Sequence, residues 1–281
     1  MPNTTLRILR STLVAGLLSM PGLAPAAPGE TTVHWYGHAA FRIETPSGGV
    51  ILIDPFLNGP TNPDKESVAK LERVDYILLT HAHSDHVGQA VEIGKKTGAV
   101  LVATFGLQFN MRTVLGYPEP QATLATGGNV GGTIDLPKAK AKVTLVHAVH
   151  GSELTTPQIP APAPGHPSAI AGGNPVGYVL QIEGGPTIYH TGDTEVYEDM
   201  KLISEFFKVD LMLSCIGGHF TMDPARAALA VQHVRPRQVV LMHFATFGLL
   251  KGTPDQFRDE LAKRKVSSEL VVMKPGESRK F

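Results

Sequence analysis

The sequence predicts an α/β fold in which helices pack on the outside of β-sheets. Two observations support this prediction. The first strands, over residues 32–43 and 49–53, follow each other with only a turn-rich link between them, and apolar strands then alternate with amphipathic helices to the end of the chain. Because no linker divides the chain, a single domain is predicted over residues 27–281.

The other elements follow from local patterns. Residues 76–80, with the sequence YILLT, form a continuous apolar run that is typical of a buried strand. Pro224 stands in the first turn of a helix predicted over residues 223–234, where its missing N–H is tolerated. Further strands are predicted over residues 99–103, 142–150, 176–182, 187–190, 209–214, 239–243 and 270–273. Further helices are predicted over residues 87–96, 105–115, 195–208 and 254–265.

Residues 1–26 have the three parts of a secretory signal peptide. Arg7 and Arg10 provide the positive start, a short apolar run follows over residues 13–23, and residues 24–26, APA, form a cleavage pattern. The run is too short to span a bilayer core of about 30 Å as a helix. We therefore expect a periplasmic or secreted protein that begins near Ala27 and has no stable membrane anchor.

Composition limits the partners. The 281 residues include 25 Lys and Arg and 25 Asp and Glu, so no positive field is available to attract nucleic acid. The single cysteine, Cys215, excludes an intrachain disulfide and a cysteine-based zinc module, and its apolar surroundings predict a core position. A small-molecule substrate remains as the expected partner, and the oligomeric state is left open.

Residues 154–175 are rich in proline, alanine and glycine. Two interpretations stay open for this segment: a connector, or a lid over a site, since it directly follows a strand that ends in a candidate ligand.

The sharpest functional signal is the run HAHSDH at residues 81–86, directly after the strand 76–80. His81 and His83 lie two apart on extended chain, so both rings face the same side and can bind one metal ion. Asp85 and His86 fall where the chain turns into a helix, which gives them a different angle that suits a second ion. Imidazole and carboxylate are ligands of zinc and other divalent transition metals.

Four further polar side chains follow apolar strands or lie next to them: His38, His150, Asp193 and His243. Taken singly, a histidine at such a position is more often hydrogen-bonded than a metal ligand. Together with residues 81–86, they predict a metal site at the edge of the sheets.

Residues 80–88, THAHSDHVG, resemble the H-x-H-x-D-H signature of the metallo-β-lactamase superfamily. The segments at residues 37–39, 52–56, 150–152, 189–194, 220–222 and 242–247 resemble, in the family's order, metal-dependent hydrolases related to ascorbate-6-phosphate lactonase. The resemblance implies an αβ/βα sandwich of two mixed sheets flanked by helices, with the metals at one edge.

The resemblance also implies a role for each candidate residue. The first ion is assigned to His81, His83 and His150, the second to Asp85, His86 and His243, with Asp193 bridging both. Asp54 is expected to orient the signature loop, while His38, His190 and His219 are expected near the ligands or the substrate. Structural or surface roles are expected for His34, His147, His166 and His233.

The implied chemistry is hydrolysis. Two divalent ions, zinc first with manganese or iron as alternatives, would keep the site positive beside Asp85 and Asp193, which favours an anionic substrate. Because a metal ion lowers the pKa of bound water to ~7, a metal-bridging hydroxide is expected to attack a lactone or other ester, with these two aspartates as catalytic groups. A phosphodiesterase acting on a small or lipid phosphodiester and a non-catalytic metal-binding protein remain the alternatives.

Overall fold

The computed structural model describes residues 30–159 and 168–281, and these residues form sixteen strands and seven α-helices. The predicted signal peptide and part of the proline-rich segment lie outside the described residues. The strands are β1 (Thr32–Gly37), β2 (Ala40–Glu44), β3 (Val50–Ile53), β4 (Tyr76–Leu78), β5 (Val100–Thr104), β6 (Gly127–Gly128), β7 (Thr133–Leu136), β8 (Ala141–His147), β9 (Glu153–Thr155), β10 (Ala169–Ala171), β11 (Val176–Ile182), β12 (Thr187–His190), β13 (Leu211–Cys215), β14 (Gln238–Met242), β15 (Glu269–Val271) and β16 (Glu277–Lys280). The α-helices are α1 (Ser67–Lys70), α2 (Ser84–Val87), α3 (Ala90–Thr97), α4 (Phe105–Thr113), α5 (Lys201–Phe206), α6 (Pro224–Val234) and α7 (Pro254–Lys263).

Two seven-stranded mixed sheets form the centre of the molecule. The first has the order β16-β1-β2-β3-β4-β5-β6 and the second β15-β14-β13-β12-β11-β8-β7, while β9 and β10 form a separate hairpin. Side chains alternate between two cores: Ile51 and Ile53 pack between the sheets, and Val50 and Leu52 pack under the helices that cover the first sheet. Helices α1–α4 lie on the first sheet and α5–α7 on the second. The predicted αβ/βα sandwich is therefore confirmed.

Helix α6 begins as the sequence predicts. Asp223 is its N-cap and accepts a hydrogen bond from the backbone N–H of Arg226 at 2.9 Å, and Pro224 occupies the first helical position. The small residues Ala227 and Ala228 are fully buried, so the helix packs closely on the second sheet.

Some predicted boundaries are wrong. The strand predicted over residues 32–43 is a hairpin, because the chain turns at His38 and Ala39, and the helix predicted over residues 87–96 is split into α2 and α3 around Gly88. The strand predicted to end at His150 ends at His147, and the helix predicted over residues 195–208 is a 3-10 turn, Glu198–Met200, followed by the short α5. The edge strands β7 and β16 were not predicted.

Among the described residues, no helix combines the length and the apolar character needed to cross a membrane.

Candidate metal centre

The candidate site lies where strands of both sheets end at the same edge of the sandwich. In the first sheet β1, β3 and β4 point the same way, and in the second sheet β8, β12 and β14 do so. The two edges meet directly, since the backbone N–H of His243 donates to the carbonyl oxygen of His38 at 3.0 Å. The polar residues that follow these strand ends are His38, Asp54, His81, His83, Asp85, His86, His150, Asp193 and His243.

The ligand atoms of these residues form three overlapping groups, each within 4.8 Å. The first group is His81, His83 and His150, and the second is His38, Asp85, His86 and His243. The third group, His81, His86 and Asp193, shares His81 with the first group and His86 with the second. All seven candidate ligands are therefore brought together, and His38 joins them.

The buried carboxylate of Asp54 fixes the orientation of two histidines. It accepts hydrogen bonds from the Thr80 N–H at 2.8 Å, from the Thr80 hydroxyl at 2.6 Å and from Nδ1 of His86 at 2.7 Å. Because the hydroxyl gives its proton to Asp54, its oxygen accepts from Nδ1 of His81 at 3.0 Å. Both imidazoles therefore turn Nε2 toward the site, as ligating histidines held by a carboxylate commonly do.

A second carboxylate orients His83. Glu153 Oε2 lies 3.1 Å from Nε2 of His83, and an ionised carboxylate can only accept, so the ring proton is on Nε2 and Nδ1 is free to bind. Nδ1 of His83 then faces Nε2 of His81 at 3.0 Å. Burial lowers the pKa of His81 well below its usual range, which keeps that ring neutral. The lone pairs of His81 Nε2 and His83 Nδ1 therefore face each other, which favours a cation between them. Their separation of 3.0 Å is close to the roughly 3.3 Å expected for two nitrogens bound to one tetrahedral zinc ion.

Asp193 lies between the ligand groups. Its Oδ2 is 2.9 Å from Nε2 of His243, 3.3 Å from Nε2 of His86 and 3.6 Å from Nε2 of His150. Oδ1 of Asp193, Nε2 of His86 and both ring nitrogens of His243 are buried, and despite the short distances none of them has a contact with hydrogen-bond geometry among the described residues. Each such group would cost about 1–3 kcal/mol if left unpaired. Their convergence fits divalent metal ions bound at this point.

The charges around the site suit cations. Burial opposes ionisation of Asp193, but His243 and His86 hold its pKa well below the usual range. Burial also opposes ionisation of Asp85, but the hydrogen bond from His38 and the charge interactions with His86 and His38 together lower its pKa. Burial opposes protonation of His86, yet the carboxylates of Asp193 and Asp54 raise its pKa well above normal. A metal ion at His86 would therefore replace a proton.

His38 supports Asp85. Its Nε2 lies 3.0 Å from Asp85 Oδ2, and its Nδ1 lies 2.8 Å from the Thr246 hydroxyl. Burial, together with the nearby His243, lowers the pKa of His38 to about 4, so the ring is neutral. A neutral His38 that donates Nε2–H to one oxygen of Asp85 leaves the other oxygen for an ion.

His190 and His219 lie outside the ligand groups that the described residues form. Nδ1 of the fully buried His190 accepts from Gly192 N–H at 3.0 Å, and Nε2 donates to the Ala39 carbonyl at 3.1 Å. His190 thus ties the turn before Asp193 to the β1–β2 turn, and both of its ring nitrogens are engaged in these bonds. His219 is exposed and packs edge-on against Phe220. It lies outside the three ligand groups that the described residues form.

Three histidines for which structural or surface roles were expected lie outside the ligand groups. His34 Nδ1 pairs with the Ser278 hydroxyl at 2.8 Å, and His147 packs against Tyr197 on the surface. His233 is buried in α6. His166 lies outside the described residues.

The backbone of the site is unusual at several residues. His38, Asp54 and His243 have φ angles of 51°, 46° and 55°, the left-handed region that histidine and aspartate tolerate better than most residues. Gly192 has a φ of 61°, and a Cβ there would lie 2.6 Å from the Val176 carbonyl oxygen, which explains the glycine before Asp193. Such conformations cluster at functional sites.

The sequence interpretation missed Thr80, Thr246 and Glu153. Thr80 directly precedes the signature and Thr246 lies within the quoted segment at residues 242–247, so both were within reach of the pattern. Glu153 is an ordinary surface glutamate next to a proline-rich segment, and nothing in the sequence marks it.

One side of the site is open to solvent. The side chains of His83, Asp85 and His150 are 31%, 24% and 13% exposed, whereas His81 and His86 are fully buried. A substrate would therefore approach from the side of the three partly exposed residues.

Comparisons with known proteins find related sequences and a similar fold. A family profile described as "Beta-lactamase superfamily domain" matches residues 32–243. The chain is 48% identical over 260 residues to a UPF0173 metal-dependent hydrolase of Thermodesulfovibrio yellowstonii, covering 92% of this chain and 95% of the relative. It is 52% identical over 252 residues to one of Anaeromyxobacter dehalogenans, covering 89% and 87%. A solved structure, the metallo hydrolase Igni18 of Ignicoccus hospitalis, is similar with a TM-score of 0.73 and 29% identity, covering 90% of this chain and 98% of that one.

Proposed function

This chain belongs to the metallo-β-lactamase superfamily of metal-dependent hydrolases, and we propose that it cleaves a lactone or other ester at a site for two divalent ions. One observation carries the proposal: Asp193 Oδ2 lies 2.9 Å from His243 and 3.6 Å from His150, which belong to different ligand groups. The first ion is assigned to His81, His83 and His150, and the second to Asp85, His86 and His243, with Asp193 shared. Membership of the branch related to ascorbate-6-phosphate lactonase is part of this proposal.

The residues of the chain would prepare the site for hydrolysis. Bound divalent ions supply a water whose pKa is lowered to ~7 and an electrophile for the substrate oxygen. Asp85 and Asp193 would hold the ions through ionised carboxylates, and Asp54 and Thr80 keep the rings of His81 and His86 turned toward the centre. Two carboxylates leave two divalent ions with excess positive charge, which supports an anionic substrate or a developing oxyanion.

An apolar wall beside His38 suits the carbon skeleton of an ester. The rings of Phe56 and Phe247 lie 5.9 and 5.5 Å from the His38 ring, and Phe247 is 40% exposed. An exposed aromatic face next to polar catalytic groups is typical of small-molecule sites.

Cys215 is unsuited to act as a nucleophile. It is fully buried in β13, and burial raises the pKa of its thiol to about 11. The nitrogen and oxygen ligands favour zinc, with manganese or iron as the alternatives.

A substrate panel tests the reaction. The purified protein, loaded with zinc or manganese, is assayed with chromogenic esters, lactones and bis-(p-nitrophenyl) phosphate. We expect hydrolysis of esters or lactones that a chelator abolishes. Faster cleavage of the phosphodiester would favour the phosphodiesterase alternative, and metal binding without turnover of any substrate would favour a non-catalytic protein.

Asp193→Ala tests the binuclear assignment. Loss of the shared carboxylate should remove one or both ions and lower kcat at least ~100-fold, the scale seen when a preorganised electrostatic group is removed. His243→Ala should spare the first ion, because His243 is assigned to the second. Metal per chain is measured by plasma emission spectroscopy. A wild-type protein that holds one ion at saturation, or an active Asp193→Ala variant with two ions, would overturn the assignment.

Export is proposed from residues 1–26. Mass spectrometry of the protein from the periplasm should find an amino terminus near Ala27. An intact form beginning at Met1 as the main cytoplasmic species would refute export.

A further inference from the structure

We propose that the β9–β10 hairpin holds the loop of residues 81–86, which carries four of the candidate metal ligands, in place, and we call this hairpin with its flanking residues the clamp. Within the clamp, Glu153 is a positioning residue that fixes which ring nitrogen of His83 faces the ion. The inference rests on the proposed metal site and extends it to residues 152–159 and 168–172, which the comparisons leave without a role. It also links described parts of the proline-rich segment, residues 154–159 and 168–172, to metal binding.

Glu153 determines the tautomer of His83. Its Oε2 lies 3.1 Å from Nε2 of His83, which must donate because a carboxylate only accepts. Nδ1 is thereby left as a lone pair, 3.0 Å from Nε2 of His81. Without Glu153 the neutral ring could carry its proton on either nitrogen, and a proton on Nδ1 would block binding.

The hairpin region also holds the peptide between the two ligands. Ala82 is fully buried, and its N–H donates to the Ser152 hydroxyl at 3.3 Å. Its carbonyl oxygen accepts from Nε2 of Gln158 at 2.9 Å. Both backbone groups of the residue between His81 and His83 are thus bonded to side chains of the clamp, in a place where an unpaired backbone group would be costly.

The clamp is itself fixed to the body of the protein. The amide of Asn110 in α4 donates to the Ala171 carbonyl at 2.7 Å, and within the clamp the Gly172 N–H donates to the Ser152 carbonyl at 2.5 Å. Leu154 is fully buried in the core under the helices of the first sheet. The hairpin therefore has the rigid support that a positioning element needs.

Exposure separates a positioning role from a purely structural one. The Glu153 side chain is 51% exposed, so removing its carboxylate leaves the core packing intact. Buried Leu154 provides the packing instead, and the role of Glu153 is confined to His83. A change at Glu153 should therefore alter metal binding while the stability of the metal-free fold stays the same.

The test compares metal affinities by chelator competition. Glu153→Ala should weaken binding of the ion assigned to His81, His83 and His150 by about 10–100-fold, the usual effect of losing a carboxylate behind a ligating histidine. Glu153→Gln keeps an acceptor and should lose less. The matched control is Glu183→Gln, which removes an exposed carboxylate 3.8 Å from Lys140. Glu183 lies beyond the end of β11 where Ile182 pairs with Ala141 at the start of β8, opposite the ligands that follow the end of β8, so the variant should bind metal as wild type does.

Two further measurements exclude a merely structural effect. The Tm of each metal-free variant should equal that of the wild type. Long-range proton–nitrogen spectra of the metal-free protein should show His83 with its proton on Nε2 in the wild type and as a mixture in Glu153→Ala, with the signal assigned by its loss in His83→Gln.

The outcomes separate this inference from the proposed function. If Asp193→Ala loses metal while Glu153→Ala binds within about twofold of the wild type, the clamp is wrong and the metal site stands. If Asp193→Ala also keeps its metal, the proposed site itself is wrong. Should Glu153→Ala fail to fold, Glu153→Leu, which offers no acceptor to His83, decides, and a wild-type affinity there overturns the inference.

Discussion

Two carboxylates support two metal-ligand histidines in different parts of the molecule. Asp54 Oδ2 lies 2.7 Å from Nδ1 of His86, and Glu153 Oε2 lies 3.1 Å from Nε2 of His83. Asp54 is fully buried at the end of β3, whereas the Glu153 side chain is 51% exposed on a hairpin. A hydrogen bond between a carboxylate and a ligand histidine thus occurs once in the core, at Asp54, and once at the surface, at Glu153.

The difference separates stability from function. Asp54 accepts three hydrogen bonds in a region without solvent, so the fold and the ligand loop both depend on it. Glu153 accepts its bond beside solvent, and water can replace it without leaving a buried group unpaired. The buried carboxylate is therefore inseparable from the structure, while the exposed one tunes the site alone.

The largest effect is expected for Asp54→Asn. The asparagine amide would point a donor at Thr80 or His86, and each buried donor left without an acceptor costs about 1–3 kcal/mol. The free energy of unfolding of the metal-free protein should fall by that amount, and metal affinity should fall by about 10–100-fold. Urea unfolding and chelator competition measure the two effects.

Glu153→Gln is the counterpart in this comparison, since it makes the same chemical change at the exposed carboxylate. Its unfolding curve should overlay that of the wild type. Equal loss of stability in both variants would remove the distinction between the two supports.

A smaller effect is expected for Thr80→Val. The change removes the hydroxyl that accepts from Nδ1 of His81, and the ring loses its fixed tautomer. Affinity should drop by about tenfold, at the lower end of the range for such partners. Thr80→Ser keeps the hydroxyl and is the control, with binding close to the wild type. A Thr80→Ser variant as weak as Thr80→Val would show that the methyl group, through packing, matters more than the hydrogen bond.

The same contrast explains what the sequence could predict. His243 follows the apolar run of β14, so its place at a sheet edge could be predicted from the strand pattern, whereas Asp54, which follows β3, was found only through the resemblance to a known family. Glu153 was missed because its partner is 70 positions away and its neighbours form no periodic pattern. Strand β16 was missed because its four residues, ESRK, are all polar, and only pairing with β1 makes them a strand.

Backbone conformation accounts for another difference. The residues from Tyr36 to Phe41 read as one continuous strand, but Gly37 and His38 adopt positive φ angles and reverse the chain. This turn carries the His38 carbonyl to the His243 N–H at 3.0 Å. A contact between His38 and His243, which belong to different sheets and lie some 200 positions apart in the chain, cannot be deduced from local propensity.

The smallest effect concerns salt, and it tests the comparison without altering the fold. The screening length falls from about 10 Å at 0.1 M to about 3 Å at 1 M, and exposed charges are screened far more than buried ones. The affinity ratio between the wild type and Glu153→Gln should therefore shrink by about half or more over this range, because the ratio includes the attraction of an exposed carboxylate for the ion. The ratio between the wild type and Asp54→Asn should stay constant, because no solvent reaches Asp54. Chelator competition in sodium nitrate, which avoids chloride coordination, gives both ratios. If both affinity ratios fell by the same factor between 0.1 M and 1 M salt, both carboxylates would act through the same long-range charge effect, and burial would not distinguish them.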